Sequence, residues 1–337
     1  MPIPFLVRRV IALSAVLALL PLTWARTPIP ALRDTFELGF APVALPSPDR
    51  MAAHLGPFHL ERIWELRSRT RRFGSYSALL IRPGGEFLAL SDSGNYLRFR
   101  APGEPQVNSG IGELPLSDDD SKSSRDVESA TQDASGTIWL GLEGRNAIFR
   151  MTPGLDVADL HVERRVSPPS MRDWGVNTGP EAMTRLADGR FVLLREGFAG
   201  WSDRLHPAVV FAGDPTENAR VQQFTFDGPA GFSPTDMVQL PDGRLLVLMR
   251  RLIWPMPQRF SGRIAIGDPK AIRAGQPWRV TEVAQLSSDL PVDNFEGLAV
   301  VPRADGQLTV WVISDDNYSP LQRTLLWKMR VDPADLP

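Results

Sequence analysis

Cysteine is absent from this 337-residue chain. That excludes disulfides, thiolate metal sites and cysteine nucleophiles outright. Histidine is scarce, with only His54, His59, His161 and His206. Lysine is scarcer, at Lys122, Lys270 and Lys328, in a basic complement of 37 that is otherwise arginine. No Gly-x-Ser-x-Gly elbow occurs, so a serine hydrolase of that type is not expected. The formal net charge of −2 leaves no basic footprint for nucleic acid. Long apolar runs are missing too. The longest candidate, Val10 to Leu20, is too short to span a bilayer and ends at Pro21.

That run follows Arg8 and Arg9, and precedes small residues Thr23 and Ala25, the pattern of an export signal cleaved after Ala25. The expected organisation is a signal peptide over 1–25, an N-terminal extension over 26–57 and one domain over 58–337. Loss of the two arginines takes the charge from −2 to −4. The expected location is the periplasm or the medium, with no membrane attachment after cleavage and a monomeric state.

What the chain has in abundance is turn chemistry: 31 prolines and 27 glycines, which disfavour long helices and suit many short strands. Ser77 to Asp92 reads as two alternating apolar strands around a glycine turn. The plan returns at Glu128–Glu143, Glu181–Glu196, Asp236–Arg251 and Glu296–Asp315. The turn glycines 85, 136, 189, 243 and 306 are 51, 53, 54 and 63 residues apart. Third and fourth strands follow, for example Ala147–Met151 with His161–Val166, and Arg263–Ile266 with Trp278–Val283. Four-stranded units at about fifty-residue spacing predict an all-β propeller. The last copy has three strands, and His59–Leu66 supplies the fourth, pairing with Thr324–Val331 to close the ring. Five blades are expected, while residues 27–57 leave room for part of a sixth.

Aligned, the copies open with Ser77, Glu128, Glu181, Asp236 and Glu296, and close with Asp92, Glu143, Glu196, Arg251 and Asp315. In the first four, opening and closing residues are 15 apart. Both positions lie at the end of a hairpin opposite its turn, so these side chains are expected at one mouth of the central channel. Single acidic residues are usually solvated, but glutamate is a poor turn former and its recurrence in register points to a site. Clustered carboxylates raise one another's pKa or bind a cation. With oxygen donors only, Ca²⁺ is the first choice, held by Glu128, Glu181, Asp236, Glu296, Asp92 and Asp315. Arg125, Arg195, Arg250, Arg251 and Arg323 accompany the acids, either as ion-pair partners or as anchors for an anionic substrate.

The motifs Arg72-Phe73-Gly74-Ser75-Tyr76-Ser77, Ser91-Asp92-Ser93-Gly94, Asp126-Val127-Glu128-Ser129, Asn177-Thr178-Gly179-Pro180-Glu181, Asp293-Asn294-Phe295-Glu296-Gly297-Leu298 and Ser314-Asp315-Asp316-Asn317-Tyr318 stand in this order. Together they resemble the phytase-like family of exported bacterial proteins, over about residues 58 to 331. Ser77-Ala78 stands where a glycine often follows the serine, and Ser129-Ala130 where Gly-Leu is usual. The resemblance implies a propeller with an acidic channel, and the family name implies ester or phosphoester hydrolysis. The expected reaction centre is Glu128, Glu181, Glu296, Arg125 and Arg251, acting with Ca²⁺ on a small, anionic ester or phosphoester. The alternative is a propeller braced by Ca²⁺ that binds a ligand or a protein without turning anything over.

Overall fold

The computed structural model describes Ser14 and residues 36–337, apart from 117–123, 153–156, 176, 198–203 and 256–257. Ser14 aside, the expected export signal over 1–25 lies outside the described residues. Among them, no helix is long and apolar enough to cross a membrane.

The described chain begins with strand β1 (Gly39–Pro42), helix α1 (Pro48–His54) and strand β2 (His59–Arg67). Blade 1 is then β3 (Tyr76–Ile81), β4 (Phe87–Ser91), β5 (Asn95–Phe99) and β6 (Gly110–Glu113). Blade 2 is β7 (Val127–Gln132), β8 (Ile138–Leu142), β9 (Ala147–Met151) and β10 (Val162–Val166). Blade 3 is β11 (Pro180–Arg185), β12 (Phe191–Arg195), β13 (Leu205–Phe211) and β14 (Val221–Asp227). Blade 4 is β15 (Ser233–Gln239), β16 (Leu245–Pro255) and β17 (Gln258–Gly267), followed after β18 (Pro277–Arg279) by its outer strand β19 (Thr281–Leu286). Blade 5 is β20 (Asn294–Pro302), β21 (Leu308–Asp315) and β22 (Leu325–Val331). The first strands form the inner ring, β3 against β7, β7 against β11, β11 against β15, β15 against β20, and β20 back against β3. The fold is a five-bladed β-propeller.

Closure follows the expected route. β2 runs antiparallel to β22, with Ile63 opposite Trp327 and Trp64 opposite Leu326. Among the described residues, the N-terminal extension does not begin a sixth blade. Its strand β1 pairs with β2 and becomes the outermost strand of blade 5. The segment Trp278–Val283 departs from expectation in another way. Instead of one strand of blade 4 it is divided, and β18 pairs in parallel with β14 of blade 3. The reason is Trp278, which is buried against Phe224 and Phe226 of that blade and donates its indole N–H to the Asp268 carbonyl.

The core is not one mass but five layers, one between each pair of neighbouring blades. Side chains alternate across a strand, so each second strand feeds two layers. In β4, Leu88 and Leu90 pack toward blade 2 while Phe87 and Ala89 pack toward blade 5. In β16, Leu245, Val247 and Met249 face blade 3, and Leu246 and Leu248 face blade 5. Burial on both faces explains why these strands read as continuous apolar runs.

Candidate metal centre and channel mouth

Every inner hairpin carries a β-bulge at the end away from its turn. The pairing skips Ser77 between Tyr76 and Ala78, Glu128 between Val127 and Ser129, and Glu181 between Pro180 and Ala182. It skips Thr235 between Pro234 and Asp236, and Glu296 between Phe295 and Gly297. An extra residue in a bulge leaves the ladder and its side chain is re-aimed. The facing strands then deliver Asp92, Glu143, Glu196, Arg250 and Asp315, each the residue that follows the partner of the position just before the bulge. The mouth is therefore lined by Ser77 and Asp92, Glu128 and Glu143, Glu181 and Glu196, Thr235 and Arg250, Glu296 and Asp315.

This corrects the reading of blade 4 by one residue. The equivalents of Glu128 and Glu143 are Thr235 and Arg250, not Asp236 and Arg251. Asp236 does not join the other acids. Its carboxylate is buried between blades, accepting from the backbone N–H of Met237 at 2.8 Å and of Leu298 at 2.7 Å. Arg251 turns to the other face of β16, with its guanidinium over the Phe232 ring. The 15-residue spacing did not reveal the slip, because 250 − 235 equals 251 − 236. A local signal was available: Pro234-Thr235 matches Pro180-Glu181, with proline before the bulge in both.

The remaining acids behave as one electrostatic unit. Burial pushes the Glu128 carboxyl well above its ordinary range, and Glu181, Asp92, Glu296 and Glu143 add to the shift. Glu181 is also raised well, by burial and then by Glu196 and Glu143, with Arg250 opposing. Burial and the charges of Glu296 and Asp92 hold Asp315 up. Glu296 is pushed to about 7 by burial, against the pull of Arg250. Arg250 supplies the positive charge, with Nε 3.0 Å from Glu296 and Nη2 3.2 Å from Glu196. Asn294 donates to Glu296 at 2.6 Å and to Asp315 at 3.2 Å.

Two groups within this ring have the spacing of a cation site. Ligand atoms of Asp126, Glu128 and Glu143 lie within 4.8 Å of one another, as do those of Glu143, Glu181 and Glu196. Glu143 belongs to both. Gly179 makes room for it, since a side chain there would meet the Glu143 Cα at 2.6 Å. Its N–H points to Glu143 Oε1 at 3.4 Å, and its carbonyl accepts from Glu181 and Glu196. Oxygen-only carboxylate groups at this separation suit a hard divalent cation chemically. Asp126, inside a noted motif, was not singled out as a ligand. Of the expected arginines, Arg125 lies 3.8 Å from Glu113 on β6, and Arg195 donates to Thr178.

A cavity of about 1030 Å³ shares a wall with this mouth at Asp316 and Tyr318, and extends to Phe73, Arg69 and Arg323. Asp316 is held by the N–H groups of Ser75 and Tyr318 and by the Thr324 hydroxyl. The Tyr318 phenol meets the Ser93 hydroxyl at 2.7 Å, beside Asp92.

Fold and site thus define a propeller with a carboxylate-lined channel mouth. A model of the phytase-like family, described as esterase-like activity of phytase, matches residues 71–318, well over half of the chain. The chain belongs to that family. No curated protein matches it. Among solved structures it is similar to glutaminyl cyclase from Myxococcus xanthus, at 12% identity over 81% of this chain and 96% of that one, with a TM-score of 0.47. It is similar to the PQQ-bound aldose sugar dehydrogenase from Streptomyces coelicolor, at 13% identity over 89% and 100%, TM-score 0.44. Selenomethionine-substituted virginiamycin B lyase from Staphylococcus aureus follows, at 12% identity over 79% and 70%, TM-score 0.39. Likenesses this distant carry nothing about this chain's chemistry.

Proposed function

We propose that this protein is an exported, cation-dependent hydrolase of small anionic esters or phosphoesters, working at the channel mouth. One observation carries the reading: carboxylates from four blades and a guanidinium from the remaining one converge on a single mouth. Packing alone has no use for so many mutually repelling acids.

In this reading Ca²⁺ would be held by Glu143 together with either Asp126 and Glu128 or Glu181 and Glu196. When bound, the ion supplies Lewis-acid polarisation and a more acidic water. The protein's own part is proton handling and orientation. Glu296, at about 7, is poised to give a proton at neutral pH. Its protonated form passes a proton to the leaving oxygen as the ester bond breaks. The carboxylate that remains takes one from the water that has added. Arg250 keeps Glu296 oriented and meets negative charge developing on the substrate. Export is supported by the leader pattern in residues 1–25.

The test is turnover of p-nitrophenyl phosphate and p-nitrophenyl acetate by the purified protein, with Ca²⁺ or with chelator. Turnover of one ester that needs Ca²⁺ and falls at least a hundredfold in Glu143→Gln is expected. A folded, Ca²⁺-loaded protein that hydrolyses neither points to the binding-module alternative. The bridging of Glu196 and Glu296 by Arg250 favours that second reading, since it also braces three blades.

A further inference from the structure

Arg251 and Arg263 are left out of the acidic mouth, and they meet elsewhere. Arg251 follows Arg250 on β16 and so leaves the opposite face of the strand. Its guanidinium lies 4.5 Å from the centre of the Phe232 ring. Arg263, on β17, lies 4.3 Å from the same ring. The register, with Arg251 opposite Ser261 and Met249 opposite Arg263, makes the two arginines diagonal neighbours on one face. Phe232 itself is buried, immediately before β15, with its carbonyl 3.1 Å from His206 Nε2.

One phenyl ring therefore carries two cations. An aromatic face attracts each of them, but it does not cancel their repulsion. Burial lowers the Arg263 pKa and Arg251 adds to the fall, while Glu282 opposes it from 3.1 Å. Arg263 is further tied to the Ser261 hydroxyl and the Gly262 carbonyl. Arg251 has no such anchor: it makes no ion pair among the described residues, and its Nε is buried without a hydrogen-bond partner. A guanidinium is planar, and its fork of N–H donors takes two oxygens of one anion. Two neighbouring guanidiniums, of which only Arg263 is met by a carboxylate among the described residues, leave a net positive shelf.

We propose that Arg251, Arg263 and Phe232 form a phosphate-binding shelf on the face of blade 4 turned toward blade 3, separate from the acidic mouth. Arg251 takes the phosphate by its terminal Nη groups, and Arg263 divides its donors between the phosphate and Glu282. Here the proposal deepens the hydrolase reading, since it makes a phosphorylated compound the natural substrate or product. Binding itself does not depend on turnover.

Calorimetric titration of inorganic phosphate into the chelator-treated full chain tests it without contribution from a channel cation. One saturable site is expected, weakened about tenfold in Arg251→Gln, equivalent to roughly 1.4 kcal/mol. Phe232→Leu keeps the apolar volume but removes the aromatic face, and should weaken binding severalfold. Absence of saturable binding at millimolar phosphate overturns the shelf, as does unchanged affinity in a folded Arg251→Gln protein. Loss of binding in Arg250→Gln would move the anion into the channel and also overturn it. A chain that binds phosphate through Arg251 yet hydrolyses no ester refutes the hydrolase alone. An active hydrolase whose phosphate affinity is unchanged in Arg251→Gln refutes the shelf alone.

Discussion

Arg250 holds its Nε 3.0 Å from the Glu296 carboxylate, and its other edge reaches Glu196 at 3.2 Å. Blade 4 thus contributes a cation where its neighbours contribute acids. Arg250→Gln leaves two carboxylates without their counter-charge, and breaking such a partly buried network costs about 3 kcal/mol. The urea midpoint should fall with little change in m. Arg251→Gln, on the other face of the same strand, should shift stability by no more than ~0.5 kcal/mol.

Cation binding should stabilise the ring. An ion that binds only the folded mouth adds about 2.7 kcal/mol at a hundredfold excess over its Kd. For a chain of this size that is a rise in Tm of roughly 5 °C. Glu143→Gln should blunt the response most, because Glu143 belongs to both ligand groups. Differential scanning calorimetry with Ca²⁺ and with chelator checks this. A Tm indifferent to both leaves the acids as an ion-pair network around Arg250.

The sign of the pH dependence follows from the raised carboxyls. Glu296 titrates at about 7 and Asp293 at about 6 in the fold, both above their ordinary values of 4.5 and 3.8. The folded state then holds protons that the unfolded chain has released, so stability falls as pH rises. Their contribution is complete near pH 4 and lost by about pH 7 to 8. Chelator-treated protein should therefore melt higher at pH 5 than at pH 8, and Ca²⁺ should narrow the difference. A melting temperature that rises over this interval contradicts the cluster's electrostatics.

Asp236 separates structural acids from site acids. Its carboxylate joins blade 4 to blade 5 by accepting the Leu298 N–H at 2.7 Å. Asp236→Ala leaves that buried donor unpaired, at a cost of about 1–3 kcal/mol. The rise in Tm on adding Ca²⁺ should remain as in the parent. Loss of the Ca²⁺ response in this variant would return Asp236 to the ligand set.

The propeller was legible in the sequence because its signals are local. Alternating apolar residues and turn glycines at 85, 136, 189, 243 and 306 specify hairpins before any long-range contact forms. Ring closure was legible for a related reason, since blade 5 had three strands and His59–Leu66 had no other partner. The convergence of Glu128, Glu181 and Glu296 also followed from register. Side-chain identity at blade 4 did not. Strand side chains have a period of two, so a one-residue error exchanges the faces. That exchange put Asp236 for Thr235 and Arg251 for Arg250. Where β16 pairs with β15, and which residue bulges, is settled by the packing of Met249 and Val247 against blade 3 and Leu248 against blade 5. The division of Trp278–Val283 likewise depends on blade 3, which buries Trp278. Residue order determined which strands exist. Only packing between blades decided which of their side chains enter the channel.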